Sequence, residues 1–351
     1  MTRHGMKTSP RRVRWSAVGA LALVVGAACV LVPPVLAAAP VSAAPTVASA
    51  SLTPVGPGRT TLTYCDEGGV AETLDVYEPT PLPTTAVPVV VYVHGGGWTG
   101  GDDAITPGSL VGQVASDIGD KGWVFVSIDY RLAPKYRWPA PIEDATCAVR
   151  FLRAEAAALH IDPRHIGAIG DSAGGQIVSL LGLAGTSAGF DTGPDLDRSS
   201  AVQAVVDLYG PTDLTTTDWA HSVLIQDVAV EAFGTTFGPG TPGSSTTDEL
   251  VAASPVTYVG AHDPPFLIIQ GAEDEVVPAD QSTELADRLR GAGDSATLVM
   301  VHNAQHGLLA VAGGPVTPSV SQLSATTAAF LIRHLGSSAT RSTRPERSSR
   351  R

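Results

Sequence analysis

The chain has 351 residues, of which 44% are hydrophobic, and a formal net charge of −12. Its ends are basic: residues 45–336 hold only 12 of the Lys and Arg residues but 33 of the Asp and Glu residues, a formal charge of −21. Such an acidic body repels phosphate backbones, so the composition argues against a nucleic-acid partner.

The N-terminal 44 residues have the pattern of an export signal. A basic start is followed by an apolar run over residues 17–32 and by small residues over 37–44. A membrane anchor is the alternative, but a spanning helix needs about 20 apolar residues. Pro33 and Pro34 interrupt this run. We therefore expect residues 1–44 to be a signal peptide, the protein to be secreted, and the mature form to keep no stable membrane span.

Two variants of export stay open. The pair Arg11 and Arg12 ahead of the apolar run is compatible with twin-arginine export. Cys29 is a weaker candidate for lipid attachment, because Gly26 stands where such motifs usually carry a larger aliphatic residue. At the other end, residues 337–351 are mostly Ser, Thr and Arg without apolar periodicity. This composition predicts a disordered basic tail.

Residues 45–336 are long enough for one large domain. Cys65 and Cys147 are the cysteines that remain in this segment. A disulfide is permitted outside the cytoplasm, whereas two buried thiols are the alternative, and the sequence does not decide between them.

Short apolar runs alternate with stretches of helical periodicity along this domain. We predict strands at Ala71–Glu78, Val89–Val93, Trp123–Ile128, Ile166–Gly170, Val202–Leu208, Phe266–Gln270 and Ala296–Val301. We predict helices at Ile142–Leu159, Gln176–Leu183, Pro278–Leu289 and Val320–Leu335. This alternation is typical of an α/β fold with a mostly parallel sheet covered on both faces.

One region departs from this rhythm. Gly185–Asp197 and Thr235–Thr247 are rich in Gly, Ser, Thr, Pro and Asp, and they flank a segment of helical character, Asp213–Phe237. Loops over the carboxyl ends of parallel strands usually shape a binding pocket. We interpret this region as a small cap, with a surface insertion as the alternative.

The strongest motif is GDSAGG at Gly170–Gly175, between a predicted strand and a predicted helix. It fits the G-x-S-x-G nucleophile elbow, in which a tight turn projects the serine above the sheet. Small flanking residues avoid steric clashes in that turn. We predict Ser172 as a nucleophile.

A second glycine-rich motif, His94–Trp98, follows the strand that ends at Val93. Acyl transfer places negative charge on a carbonyl oxygen, which backbone N–H groups must stabilise. Consecutive glycines let the backbone approach that oxygen, and the residue after the nucleophile, Ala173, would supply another N–H group. A flexible loop is the alternative interpretation of the glycines.

A serine nucleophile needs a base and an acid that orients it, and in this architecture they follow it in the order acid, histidine. Asp274 follows the predicted strand Phe266–Gln270 and is our choice over its neighbours Glu273 and Glu275. His306 follows the last strand and is our choice of base. His302 lies so close to the strand end that we expect a structural role for it.

No metal or cofactor site is predicted. The acidic pair Asp102 and Asp103 fits a helix cap or turn better than a ligand set. The glycines after His94 lack the Lys and Ser/Thr that a nucleotide-binding loop requires.

Together these motifs resemble hormone-sensitive-lipase-like esterases and the secreted acetyl- and feruloyl-type carbohydrate esterases. The shared segments are Leu74–Tyr77 with Pro79, His94–Trp98, Asp129–Pro134, Gly170–Gly175 and the surroundings of Asp274 and His306. The resemblance implies an α/β-hydrolase fold of about eight strands, oxyanion-binding N–H groups at Gly96, Gly97 and Ala173, and structural roles for Asp129 and Arg131.

The expected function is hydrolysis of small or short-acyl carboxylic esters through an acyl-enzyme on Ser172, with acetyl or feruloyl carbohydrate esters as candidate substrates. Only about 30 residues separate the predicted cleavage site from the first predicted strand, so we expect no large N-terminal cap. An amidase or peptidase on the same triad and a non-catalytic binding protein that keeps the triad are the alternatives. The oligomeric state is not indicated.

Overall fold

A computed structural model describes residues 53–54, 58–67, 69–221, 223–240, 244–311 and 313–336. The predicted signal peptide and basic tail lie outside these residues. Within them, no helix combines the length and the apolar character that crossing a membrane requires.

The predicted α/β fold with a mostly parallel sheet is confirmed. Nine strands form one sheet in the described residues: β1 Thr53–Pro54, β2 Arg59–Glu67, β3 Val70–Tyr77, β4 Val87–Val93, β5 Val124–Ile128, β6 Ile161–Asp171, β7 Ala204–Leu208, β8 Phe266–Gly271 and β9 Ala296–Val301. Their order is β1-β2-β3-β5-β4-β6-β7-β8-β9. The first three strands pair antiparallel, and β3 also joins β5 antiparallel. Every pairing from β5 through β9 is parallel.

The described residues contain seven α-helices, six between strands and one after β9: α1 Leu110–Asp120, α2 Ala140–Ala154, α3 Ala173–Leu183, α4 Val223–Phe233, α5 Ser245–Ala253, α6 Ala279–Ala292 and α7 Val320–Leu335. Helices α2, α3 and α6 contribute to the core on one face of the sheet. Helices α1 and α7 contribute to the core on the other.

Strand β4 shows why the central strands are apolar throughout. Val89, Val91 and Val93 belong to the first core, whereas Val90 and Tyr92 belong to the second. Successive side chains of a strand point to opposite faces, so a strand that is buried on both faces needs a continuous apolar run.

Among its strands and α-helices, the structure contains four elements that the sequence analysis did not predict: β1, β2, α1 and α5. Strand β2 is rich in Thr and charged residues and pairs with β3 near the sheet edge, with only part of its side chains buried. Helix α1 begins after Ser109, whose side chain accepts from the Gly112 N–H. Strand β6 also begins earlier than predicted, at Ile161.

Cys65 on β2 and Cys147 on α2 form a disulfide, with their Cα atoms 6.3 Å apart. The alternative of two free thiols is therefore wrong. The bond joins the antiparallel part of the sheet to a helix that packs on the parallel part, and its two cysteines are 82 residues apart in the chain.

Removing this cross-link should destabilise the fold. We expect the double variant Cys65→Ala/Cys147→Ala to lose about 2–5 kcal/mol of unfolding free energy, because the unfolded chain gains the entropy of an open loop. Urea unfolding of the wild type and of the double variant, with and without dithiothreitol, measures this loss of unfolding free energy. The reductant should lower the midpoint of the wild type only, and an equal fall in the double variant would contradict the assignment.

Candidate active site

The turn between β6 and α3 places Ser172 at the carboxyl end of the parallel sheet. Ser172 has φ 51° and ψ −119°, a strained conformation for a residue with a side chain. A Cβ atom on Gly170 would lie 2.3 Å from the Gly174 carbonyl oxygen, and one on Gly174 would lie 2.0 Å from the Val93 carbonyl oxygen. Both flanking positions therefore require glycine, which accounts for the spacing of the motif.

The structure brings the three predicted residues Ser172, Asp274 and His306 together. His306 Nε2 lies 2.9 Å from Ser172 Oγ, and His306 Nδ1 lies 2.9 Å from Asp274 Oδ2. An ionised carboxylate only accepts, so Nδ1 carries the proton and Nε2 is left to accept from the serine hydroxyl. Loops after three different parallel strands supply the three side chains.

Asp274 is held by four donors. Its Oδ1 accepts from the Val276 and Val277 N–H groups, each at 2.9 Å. Its Oδ2 accepts from Gln270 Nε2 at 3.1 Å, in addition to His306. The buried Gln270 is fixed in turn by the α6 residue Ser282, whose Oγ donates to Gln270 Oε1 at 2.8 Å. The carboxylate thus has a defined orientation and is shielded from water.

The side chains of Glu273, Glu275 and His302, which the sequence analysis did not choose as acid or base, are exposed and do not take part in the triad. Glu273 and Glu275 are exposed, although Glu273 Oε2 accepts from the Ala304 N–H and so links the loops that carry Asp274 and His306. The His302 side chain is exposed, and its backbone pairs with Thr317.

The glycine loop after β4 lies against the turn at Ser172. The Gly95 N–H donates to Asp171 Oδ1 at 3.0 Å, and Tyr130 Oη donates to the His94 carbonyl at 3.0 Å. Gly96 has φ 115°, where a Cβ would lie 2.1 Å from the Gly100 carbonyl oxygen. These contacts fix the loop in a conformation that only glycine adopts at this position.

The N–H groups of the three predicted oxyanion-binding residues donate to none of the described residues. They belong to Gly96, Gly97 and Ala173. Ala173 is the first residue of α3, where helix geometry leaves the N–H without an intrahelical acceptor. Their availability is compatible with the predicted role, which stays a prediction.

Part of the predicted cap region packs on this loop. Phe233 at the end of α4 makes an edge contact with the Trp98 ring, with the ring centroids 5.0 Å apart. A Cβ on Gly97 would lie 2.8 Å from Val228 Cγ1, so α4 closely covers the glycine loop. Trp98 also donates from Nε1 to Gln176 Oε1 on α3.

The BD-FAE family model matches residues 74–289, which is more than half of the chain. The chain belongs to the BD-FAE family.

Several esterases are similar to this BD-FAE family member. Esterase LipC of Mycobacterium tuberculosis is 33% identical over 233 residues, which are 64% of this chain and 54% of LipC. Carboxylesterase NlhH of the same organism is 43% identical over 107 residues, 30% of this chain and 32% of NlhH. The chain spans about half the length of the first curated relatives that it matches.

Solved structures share the fold. The apo form of esterase 2 from Thermogutta terrifontis has a TM-score of 0.64 and 24% identity, covering 80% of this chain and 96% of that chain. The propionate-bound form of that esterase has a TM-score of 0.62 and 25% identity, covering 81% and 98%. The predicted α/β-hydrolase fold is thereby confirmed.

Sequence reasoning missed several polar residues that surround the triad. From the sequence, Gln270 is only the last residue of an apolar strand, and Asp171 is only a spacer within the serine motif. The Tyr209 ring contacts the His306 imidazole with centroids 5.1 Å apart. A polar residue at the carboxyl end of a buried strand, as at Gln270, is a signal that could have identified one of them.

No group of three or more His, Cys, Asp and Glu residues suited to a metal ion occurs in the part of the chain that the structure describes. Asp129 and Arg131 make structural contacts: Asp129 Oδ1 accepts from the Asp103 N–H, and Arg131 pairs with Asp144.

Asp207 is a fully buried carboxyl group at the end of β7, behind the start of α3. Its Oδ1 accepts from the Gly210 N–H at 2.9 Å. Burial raises the pKa of Asp207 to about 6, because desolvation penalises the charged form. The Gly210 N–H and the Ser179 hydroxyl oppose this shift only in part.

Replacing this charge should change the pH dependence of stability. The folded carboxyl group binds its proton more tightly than the unfolded one, so its ionisation destabilises the fold as the pH rises from about 4 to 6. We expect Asp207→Asn to gain unfolding free energy relative to the wild type across this range, by at most about 3 kcal/mol. Urea unfolding at pH 4, 5, 6 and 7 measures the difference. A constant difference at all four pH values would contradict a raised pKa.

Proposed function

We propose that this protein is a serine carboxylesterase that hydrolyses small or short-acyl carboxylic esters through a covalent acyl-enzyme. The observation that carries the proposal is the continuous hydrogen-bonded series from Ser172 Oγ through His306 to Asp274, with both contacts at 2.9 Å. The similarity to esterases and a carboxylesterase supports it.

The reaction begins when His306 Nε2 takes the proton of Ser172 and Oγ attacks the ester carbonyl. Asp274 stays ionised and stabilises the imidazolium that forms. The N–H groups of Gly96, Gly97 and Ala173 bind the oxyanion of the tetrahedral intermediate. His306 then gives the proton to the departing alcohol, which leaves an ester between the acyl group and Ser172 Oγ.

Deacylation repeats the same steps with water. His306 removes a proton from water, the resulting oxygen attacks the acyl carbonyl, and the Ser172 oxygen leaves with the proton from His306. The carboxylic acid departs and the resting state is restored. The ester and one water are consumed, and an alcohol and a carboxylic acid are released, so the reaction balances.

We propose further that the protein acts outside the cytoplasm, with residues 1–44 as its signal peptide. The disulfide between Cys65 and Cys147 supports this location, since such bonds persist in oxidising compartments. Acetyl and feruloyl esters of carbohydrates are the natural substrates that we would test first, because the sequence resembles esterases of that kind.

Substitutions in the triad should separate catalysis from binding. We expect Ser172→Ala to reduce kcat for 4-nitrophenyl acetate by roughly 10⁴-fold or more, and Asp274→Asn by roughly 10³–10⁴-fold, because the nucleophile or the orientation of its base is lost. Steady-state kinetics on purified protein measure both effects.

Glu275→Gln is the matched control, because Glu275 is an exposed carboxylate next to Asp274. Its kcat should stay within about twofold of the wild type. The proposal fails if Ser172→Ala retains turnover, or if Glu275→Gln loses as much activity as Asp274→Asn.

A further inference from the structure

A cavity of about 340 Å³ lies beside the triad, between the loop that leads into α1 and the loop that carries His306. Its lining includes Asp171, which precedes Ser172, and Gly307, which follows His306. Tyr209, which also lines it, holds its ring against the His306 imidazole. The cavity is therefore lined by the chain neighbours of the nucleophile and of the base, and a group bound in it is close enough to the triad to belong to the ester or to compete with it.

The walls of the cavity are mostly apolar. Aliphatic side chains come from the loop before α1, from α1, from the segment after His306 and from α7, namely Ile105, Leu110, Leu308 and Val320. Two phenol rings, Tyr92 and Tyr209, complete them. Aromatic faces attract organic cations, and this attraction grows when the cation is shielded from water.

Asp171 is the only acidic or basic side chain among the described residues that line this cavity. Its Oδ1 is occupied, because Tyr92 Oη donates to it at 2.7 Å and the Gly95 N–H donates at 3.0 Å. Its Oδ2 has no hydrogen-bond partner among the described residues and keeps some exposure to solvent. One carboxylate oxygen is thus available to a bound group.

The two donors to Oδ1 hold the carboxylate in place and favour its ionised form. Burial raises the pKa of Asp171, and these donors, together with the nearby His94 and His306, oppose that shift. No Lys, Arg or His side chain lines the cavity within the described residues. When Asp171 is ionised, an anionic group that enters the cavity therefore meets a like charge, whereas a cation meets an opposite one.

We propose that this cavity binds an ammonium-bearing part of the substrate, and that Asp171, through Oδ2, is the residue that selects cationic over neutral and anionic groups. The inference rests on the proposed esterase function only for the identification of the bound group as part of an ester. The occupancy of the cavity by a cation can be measured without turnover.

Three small molecules of similar shape and different charge test the proposal: choline, 3,3-dimethylbutan-1-ol and 3,3-dimethylbutanoate. Each is measured as a competitive inhibitor of 4-nitrophenyl acetate hydrolysis at low ionic strength and at mildly alkaline pH, which favours the ionised carboxylate of Asp171. We expect the inhibition constant of choline to be at least about tenfold lower than that of the neutral alcohol, and that of the carboxylate to be higher. Added salt should raise the inhibition constant of choline and leave that of the neutral alcohol unchanged.

Asp171→Asn is the informative variant. The asparagine Oδ1 can still accept from Tyr92 and Gly95, so the loop contacts are kept while the charge is removed. We expect the three inhibition constants of this variant to converge to within about threefold. Glu275→Gln removes an exposed carboxylate outside the cavity lining and should keep the wild-type order.

Calorimetric titration of each of the three probes into Ser172→Ala protein separates this proposal from the esterase function. If choline binds this variant more tightly than the neutral alcohol does, and the carboxylate binds most weakly, the cavity proposal is supported. If the wild type at the same time hydrolyses no ester, the proposed esterase function is refuted. Equal affinities of the wild type for the three probes would overturn the cavity proposal. The cavity proposal would also be overturned if the three inhibition constants converged in Glu275→Gln as well as in Asp171→Asn.

Discussion

The backbone conformation at Ser172 is the constraint on which the rest of the site depends. A positive φ at a residue with a side chain is costly, and here it projects Oγ away from the sheet at the junction of β6 and α3. The turn is possible because Gly170 and Gly174 lack the Cβ atoms that would strike backbone oxygens of α3 and β4. The same close approach brings the His94–Trp98 loop against the start of α3, so the nucleophile and the predicted oxyanion-binding N–H groups are positioned together.

The central sheet could be predicted because its strands are buried on both faces, and a continuous run of Val and Tyr such as Val89–Val93 is typical of such a strand. Strand β2 was missed because it lies near the sheet edge and alternates Thr and charged residues with buried ones, which weakens its apolar signal. Helix α1 was missed among Gly- and Pro-containing loops, although its Ser109 cap was a usable signal. The disulfide depends on a distance between β2 and α2 that no local pattern encodes.

The triad residues could be chosen because chain order and strand ends restrict the candidates to a few positions. The supporting residues could not, because their roles arise from contacts between distant segments. Gln270 donates to Asp274 while Ser282 donates to the Gln270 amide oxygen, so this contact involves both β8 and α6. The Gly95 N–H reaches Asp171 because the parallel strands β4 and β6 lie side by side. Those contacts give the site its orientation, and at Asp171 they leave the carboxylate oxygen that we propose selects the charge of the bound group.

Covalent labelling tests most directly whether Ser172 is an activated nucleophile. Paraoxon transfers its diethylphosphoryl group to activated serine hydroxyls, with 4-nitrophenolate as the leaving group. We predict one diethylphosphoryl group per chain, located by mass spectrometry of peptides on Ser172, and slow or absent labelling of His306→Ala. Rapid stoichiometric labelling at another residue, or none in a folded wild-type protein, would contradict the account.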